Sequence, residues 1–107
     1  MREAIPEQDW RVFSTLHPVW LDRFCVRVNN KVVQLLANEK NEPYDRYIAA
    51  YKLMQKTDKE VESSFADYRR STAVFQIARI RKLGVITDEE LARFSEGTLA
   101  VLDLLWK

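Results

Sequence analysis

The chain is short of the residues that carry most catalytic and metal chemistry. It holds a single cysteine, Cys25, and a single histidine, His17. One cysteine excludes an internal disulfide, so a reduced, cytoplasmic setting is the expectation. A zinc site would need several Cys or His ligands. The Glu-x-x-His pairs of a carboxylate-bridged di-metal bundle are missing, and so is any Gly-rich phosphate loop. His17 and Cys25 stand eight residues apart. On a helix that is about 80° of rotation and ~12 Å of rise, too far for a Cys–His pair. Cys25 therefore reads as a small core residue, and His17, just before Pro18, as a cap or surface residue. No cofactor is implied and no enzymatic role is expected.

Two glycines and three prolines leave few turns, which favours long helices over many short strands. No apolar run approaches the ~18 residues of a membrane span. The opening Met1-Arg2-Glu3-Ala4 lacks the basic-then-apolar build of a signal peptide. A formal net charge of +1 offers no bulk attraction to nucleic acid or anionic lipid. What remains is 47% hydrophobic and 31% charged, which is globular rather than disordered. At 107 residues it is read as one domain spanning 1–107.

Helical periodicity fills that domain. Pro6 suits the first position of a short N-terminal helix carrying Trp10, Phe13 and Leu16. Pro18 interrupts it and opens a second helix to about Asn38, although one helix kinked at Pro18 is an alternative. Leu21, Phe24, Cys25, Val28, Val32, Leu35 and Leu36 recur there at helical spacing. A polar loop at 38–42 leads to Pro43 and a third helix. A second N-terminal signature, Thr57-Asp58-Lys59-Glu60, predicts a fourth helix from there to Leu83.

Residues 80–91, I-R-K-L-G-V-I-T-D-E-E-L, carry a helix stop and a helix start. Gly84 has the place of a left-handed residue after a helix, with Val85 set to touch Ile80. Thr87 and Glu90 form a capping box, flanked by Ile86 and Leu91 as a hydrophobic staple. The final helix then runs from Asp88 to about Leu105. The fold class predicted is all-α: a compact bundle of four main helices plus a short N-terminal one, ending in an αα-hairpin.

Three surfaces are candidates for function. The first is a protein-binding or self-associating face made by Trp20 with the stripe Tyr44, Tyr47 and Tyr51, whose hydroxyls need water or partners. The second is a nucleic-acid surface at Arg70, Arg79, Arg81 and Lys82. It lies within residues 69–82, which carry five bases and no acid, whereas residues 88–103 carry five acids and one base. The hairpin lays these segments side by side and so argues for charge pairing rather than phosphate contact. The third is a polar interhelical cluster, Asp22, Asn29, Arg69, Gln76 and Arg79, at positions that read as apolar. Pairing of Asp22 with Arg69 or Arg79 would satisfy the burial cost and could outline a small-ligand pocket. Arg69-Arg70-Ser71-Thr72 resembles a basophilic phosphorylation sequence but falls within the predicted fourth helix. The leading expectation is a small cytoplasmic interaction module acting on a protein partner or on itself, with no membrane role.

Overall fold

A computed structural model describes residues 5–106 of the chain. Residues 1–4, on which the leader reading above rests, and residue 107 lie outside it. The fold is all-α, with no strand among the described residues. Its helices are α1 (Glu7–Ala37), α2 (Pro43–Phe65), α3 (Ala73–Lys82), α4 (Asp88–Leu91) and α5 (Glu96–Leu105), with a 3-10 turn at Arg70–Thr72.

The N-terminal helix and the predicted second helix are one. α1 runs 31 residues straight through Pro18, a length of ~46 Å at 1.5 Å per residue. Pro18 removes one backbone N–H, but it sits on an exposed face. Continuity through Pro18 also resets the register. Phe13, Trp20, Phe24 and Val28 fall on one buried face with Leu16, because steps of seven, four and four residues return to nearly the same side of a helix.

α2 likewise overrides a predicted boundary. The Thr57-x-x-Glu60 sequence lies inside it. The Thr57 hydroxyl donates backward to the Leu53 and Met54 carbonyls instead of capping a new turn. A helix already running from Pro43 supplies carbonyl partners to the N–H groups that a cap would have served. The true break comes later. Residues 67–69 are non-helical, held by Arg69 Nε on Asp67 Oδ1 at 2.6 Å and by the Thr72 hydroxyl donating to the Asp67 and Arg69 carbonyls. Such local side-chain bonds offer the backbone an alternative to the helix. The predicted fourth helix is therefore the end of α2, a turn and α3, and Arg69-Arg70-Ser71-Thr72 lies in that turn, with Arg70–Thr72 in 3-10 rather than α-helical form.

The C-terminal hairpin forms as its signals predict. Gly84 adopts φ +77°, the left-handed region where a side chain is strained. Both bonds of the Thr87–Glu90 capping box are present. The last helix differs: it is interrupted after Leu91 and restarts at α5, where Ser95 is the N-cap and accepts from the Thr98 N–H. α5 packs on α3, and α1 and α2 form an antiparallel pair.

The buried cluster gathers Phe13 to Val28 of α1, Phe65 at the end of α2, and residues of α3, α4–α5 and their loops. Beyond Val28 only α1 and α2 continue. They make a two-helix arm, roughly residues 29–56, which gives the molecule its 54 Å long axis against 26 and 24 Å.

Candidate functional site

The arm exposes apolar side chains in a repeating pattern. On α1, Val19, Val26 and Val33 are spaced by seven and are 40%, 57% and 63% exposed. Leu36 follows three residues on. On α2, Tyr44, Tyr47, Tyr51 and Met54 follow at three-four spacing, each more than half exposed. The three-four spacing on α2 is the pattern of a coiled-coil seam; the α1 stripe has only a seven-residue period, with polar Asp22 and Asn29 between its valines. Tyr47 and Tyr51 stack with ring centres 6.5 Å apart, and Tyr51 accepts a hydrogen bond from Gln55.

A groove runs between the two helices beside the α2 stripe. It has a volume of about 370 Å³, with Cys25 and Asn29 of α1 on one wall and Tyr51, Met54 and Val61 of α2 on the other. Phe24 and Val28 form its floor. Cys25 is half-buried in this wall rather than in the core as its spacing suggests. A helix pair can bury only the sides that face each other, so a second apolar stripe on each helix stays in water unless a further helix covers it.

Trp20 is not part of this surface. It is fully buried, and its indole N–H donates to Glu90 Oε1 at 3.0 Å. Arg23 adds two bonds to the same carboxylate, at 2.9 and 3.0 Å, and the Thr87 N–H a fourth, at 3.0 Å. Those donors hold the Glu90 carboxyl well below the usual range, at about 2, the Arg23 bond contributing most. Arg23 also reaches the Val85 carbonyl, and Arg27 the Leu83 and Gly84 carbonyls. Two arginines of α1 thus cap the end of α3, where carbonyls lack helical partners.

The predicted polar cluster does not assemble. Asp22 and Asn29 are exposed on α1, Arg69 pairs with Asp67, and Arg79 bonds the Ser63 carbonyl. Only Gln76 is buried, donating to Thr72. The cause is the same register change: once Trp20 and Phe24 define the core side of α1, Asp22 and Asn29 turn outward. The buried carboxylate that the sequence reading passed over is Asp9. It is fully buried and accepts from the Ser95 N–H at 2.9 Å, the Ser95 hydroxyl at 2.6 Å and the Thr98 hydroxyl. Its signal was a polar residue four before Phe13 in an apolar stripe, with Ser95-x-x-Thr98 as the matching cap.

The basic candidates scatter. Arg70 bonds Glu7 and the Ile5 carbonyl. Arg81 stacks 4.3 Å over Trp106, 3.6 Å from Asp103. Arg79 and Lys82 are exposed on α3. His17 is half-buried against the Phe13, Phe65 and Tyr68 rings. Its Nε2 is 3.1 Å from the Phe65 carbonyl, so that nitrogen carries the proton and caps α2. Burial lowers its pKa. No group of three or more His, Cys, Asp or Glu among the described residues is placed to hold a metal ion, and no described helix is long and apolar enough to cross a membrane. Comparison with protein-family models, curated proteins and solved structures finds no match.

Proposed function

We propose that this protein is a non-enzymatic, cytoplasmic interaction module that pairs with a second copy of itself through the α1–α2 arm. The observation that carries the reading is the exposed three-four stripe of α2, Tyr44, Tyr47, Tyr51 and Met54, the last two of which line one apolar groove. Tyr44, Tyr47, Tyr51 and Met54 are each more than half exposed, and exposed apolar side chains grouped in this way mark an interaction site.

The patch also carries both halves of an interface. Tyr44 and Tyr47 stand toward the tip of the arm, and the groove lies toward its base, beside Cys25 and Val61. An antiparallel two-fold pairing sets the tip tyrosines of each copy over the groove of the other. This self-complementarity is what a two-fold interface requires, and the product is a four-helix bundle with a seam of the ordinary kind. The absence of an enzymatic role is supported by how the polar groups are used: the Asp9 and Glu90 carboxylates and His17 are bonded as caps. The nucleic-acid alternative is weakened by Arg70 and Arg81, whose guanidinium groups are held by Glu7 and Trp106.

Light-scattering mass across a concentration series tests the reading. The wild type is expected at twice 12.7 kDa, and Tyr47→Glu, at an exposed position, is expected at the monomer mass with unchanged helicity. A wild type that stays monomeric into the hundred-micromolar range contradicts it.

A further inference from the structure

On the other side of the α1–α2 seam is a second cleft, of about 210 Å³. It shares Phe24, Val28 and Thr57 with the apolar groove. Its rim is cationic: Arg27 and Lys31 come from α1, Lys56 from α2 and Lys82 from the end of α3. The one carboxylate in its lining is Glu60. Four cations against one anion leave a local excess of +3, three times the +1 of the whole chain. The ion pairs among the described residues involve none of Lys31, Lys56 and Lys82. Sequence reading could not find this cleft, because its cations are scattered over 56 positions and converge only through the antiparallel pairing and the turn before α3.

We propose that this cleft binds a diphosphate-sized phosphoryl anion. Like charges gathered at a concave site raise the local potential and attract a counter-charge. The chemistry favours phosphoryl oxygens over a carboxylate. Planar fork recognition of a carboxylate is the work of a free arginine, and Arg27 already gives two N–H groups to the Leu83 and Gly84 carbonyls. What is left is three exposed ammonium groups, point charges that suit tetrahedral phosphoryl oxygens from several directions. The volume is below the ~300 Å³ at which whole-ligand pockets begin, so the cleft takes a charged head rather than an entire nucleotide. Phe24 and Leu83 on its floor offer an apolar surface next to that head.

The test is calorimetric titration of the full chain at low ionic strength with inorganic pyrophosphate, with sodium sulfate at matched ionic strength as the reference anion. Saturable one-to-one binding is expected for pyrophosphate and not for sulfate. Lys31→Gln, Lys56→Gln and Lys82→Gln should each weaken it about fivefold or more, and Lys52→Gln, outside the cleft, should leave it unchanged. All four side chains are exposed, and circular dichroism checks that each variant is folded. Adenosine diphosphate supplies the second arm: tighter binding than pyrophosphate assigns the head to a nucleotide, weaker binding to free diphosphate, and either order supports the cleft. Absence of saturable pyrophosphate binding, equal loss in Lys52→Gln, or a single-stranded RNA that binds and is not displaced by pyrophosphate overturns the proposal. Tyr47→Glu lies on the opposite side of the seam and should leave pyrophosphate binding intact, which separates this result from the fate of the self-association reading.

Discussion

The indole N–H of Trp20 donates to Glu90 Oε1 at 3.0 Å, across 70 positions of sequence. That bond ties the middle of α1 to the first turn of α4, and through Arg23 it also fixes the Val85 carbonyl of the hairpin. The globular end of the molecule is closed by this contact and by Asp9, leaving the arm as the part without a lid.

Removal of the acceptor takes a partner from three residues. Glu90→Ala leaves the buried Trp20 N–H and Arg23 without their carboxylate and breaks the capping box. Glu90 is buried but the Arg23 side chain is 36% exposed, so the expected cost is about 2 kcal/mol, below that of a fully buried pair. Urea unfolding followed by circular dichroism should show a lower midpoint with a similar slope.

Acid should act through the same group. The folded Glu90 carboxyl sits at about 2 against an ordinary 4.5. A lowered carboxyl pKa stabilises the fold above the unfolded value, and that contribution is lost as pH falls from about 4.5 toward 2. With solvent screening allowed for, it is about 2 kcal/mol. His17 works in the same direction at higher pH: its folded pKa is below 6.5, so the unfolded chain takes up a proton first and stability begins to fall below that value. Thermal midpoints between pH 7 and 3 should decline in both windows. Glu90→Gln should flatten only the lower one and His17→Phe only the upper one.

Asp9 anchors α5 from outside. Asp9→Ala removes the acceptor of the Ser95 N–H and of two hydroxyls in a fully buried site. The expected loss is about 2–3 kcal/mol, concentrated where the contact was. Hydrogen exchange should accelerate across Glu96–Leu105 more than across α1.

Gly84 tests backbone against space. A Cβ there would meet Arg27 Nη1 at 3.6 Å, an ordinary contact. Gly84→Ala is therefore expected to cost about 1 kcal/mol, from the +77° φ alone. A cost several times larger, measured by chemical denaturation, would show that Arg27 had been displaced.

Local grammar made part of this fold legible. Pro43, Gly84 and the Thr87–Glu90 box each act within a few residues, and each forms as read. The tyrosine stripe was legible as well, since its three-four spacing needs no knowledge of a neighbour. The errors trace to one misplaced boundary and two decisions made by distant groups. Stopping a helix at Pro18 lost the line from Phe13 to Trp20, which turned Trp20 outward and Asp22 inward in the reading. Thr57 matches a cap in sequence, but the turn before it was already helical. Ser95 starts α5 with a carboxylate from Asp9, 86 positions away, and no local pattern contains that partner.

The most direct measurement on the arm is a pulsed dipolar distance between spin labels at its tip, with Asn41→Cys labelled in a Cys25→Ser background. Seating the tip tyrosines over the partner's groove centres an antiparallel pairing near Tyr51, and eight residues of helix plus the loop on each side put the two tips on the order of 30 Å apart. The account predicts a distance distribution centred near that value, vanishing in Tyr47→Glu. A tip-to-tip distance below about 15 Å would mean parallel arms, and no dipolar modulation at any concentration would contradict the pairing itself.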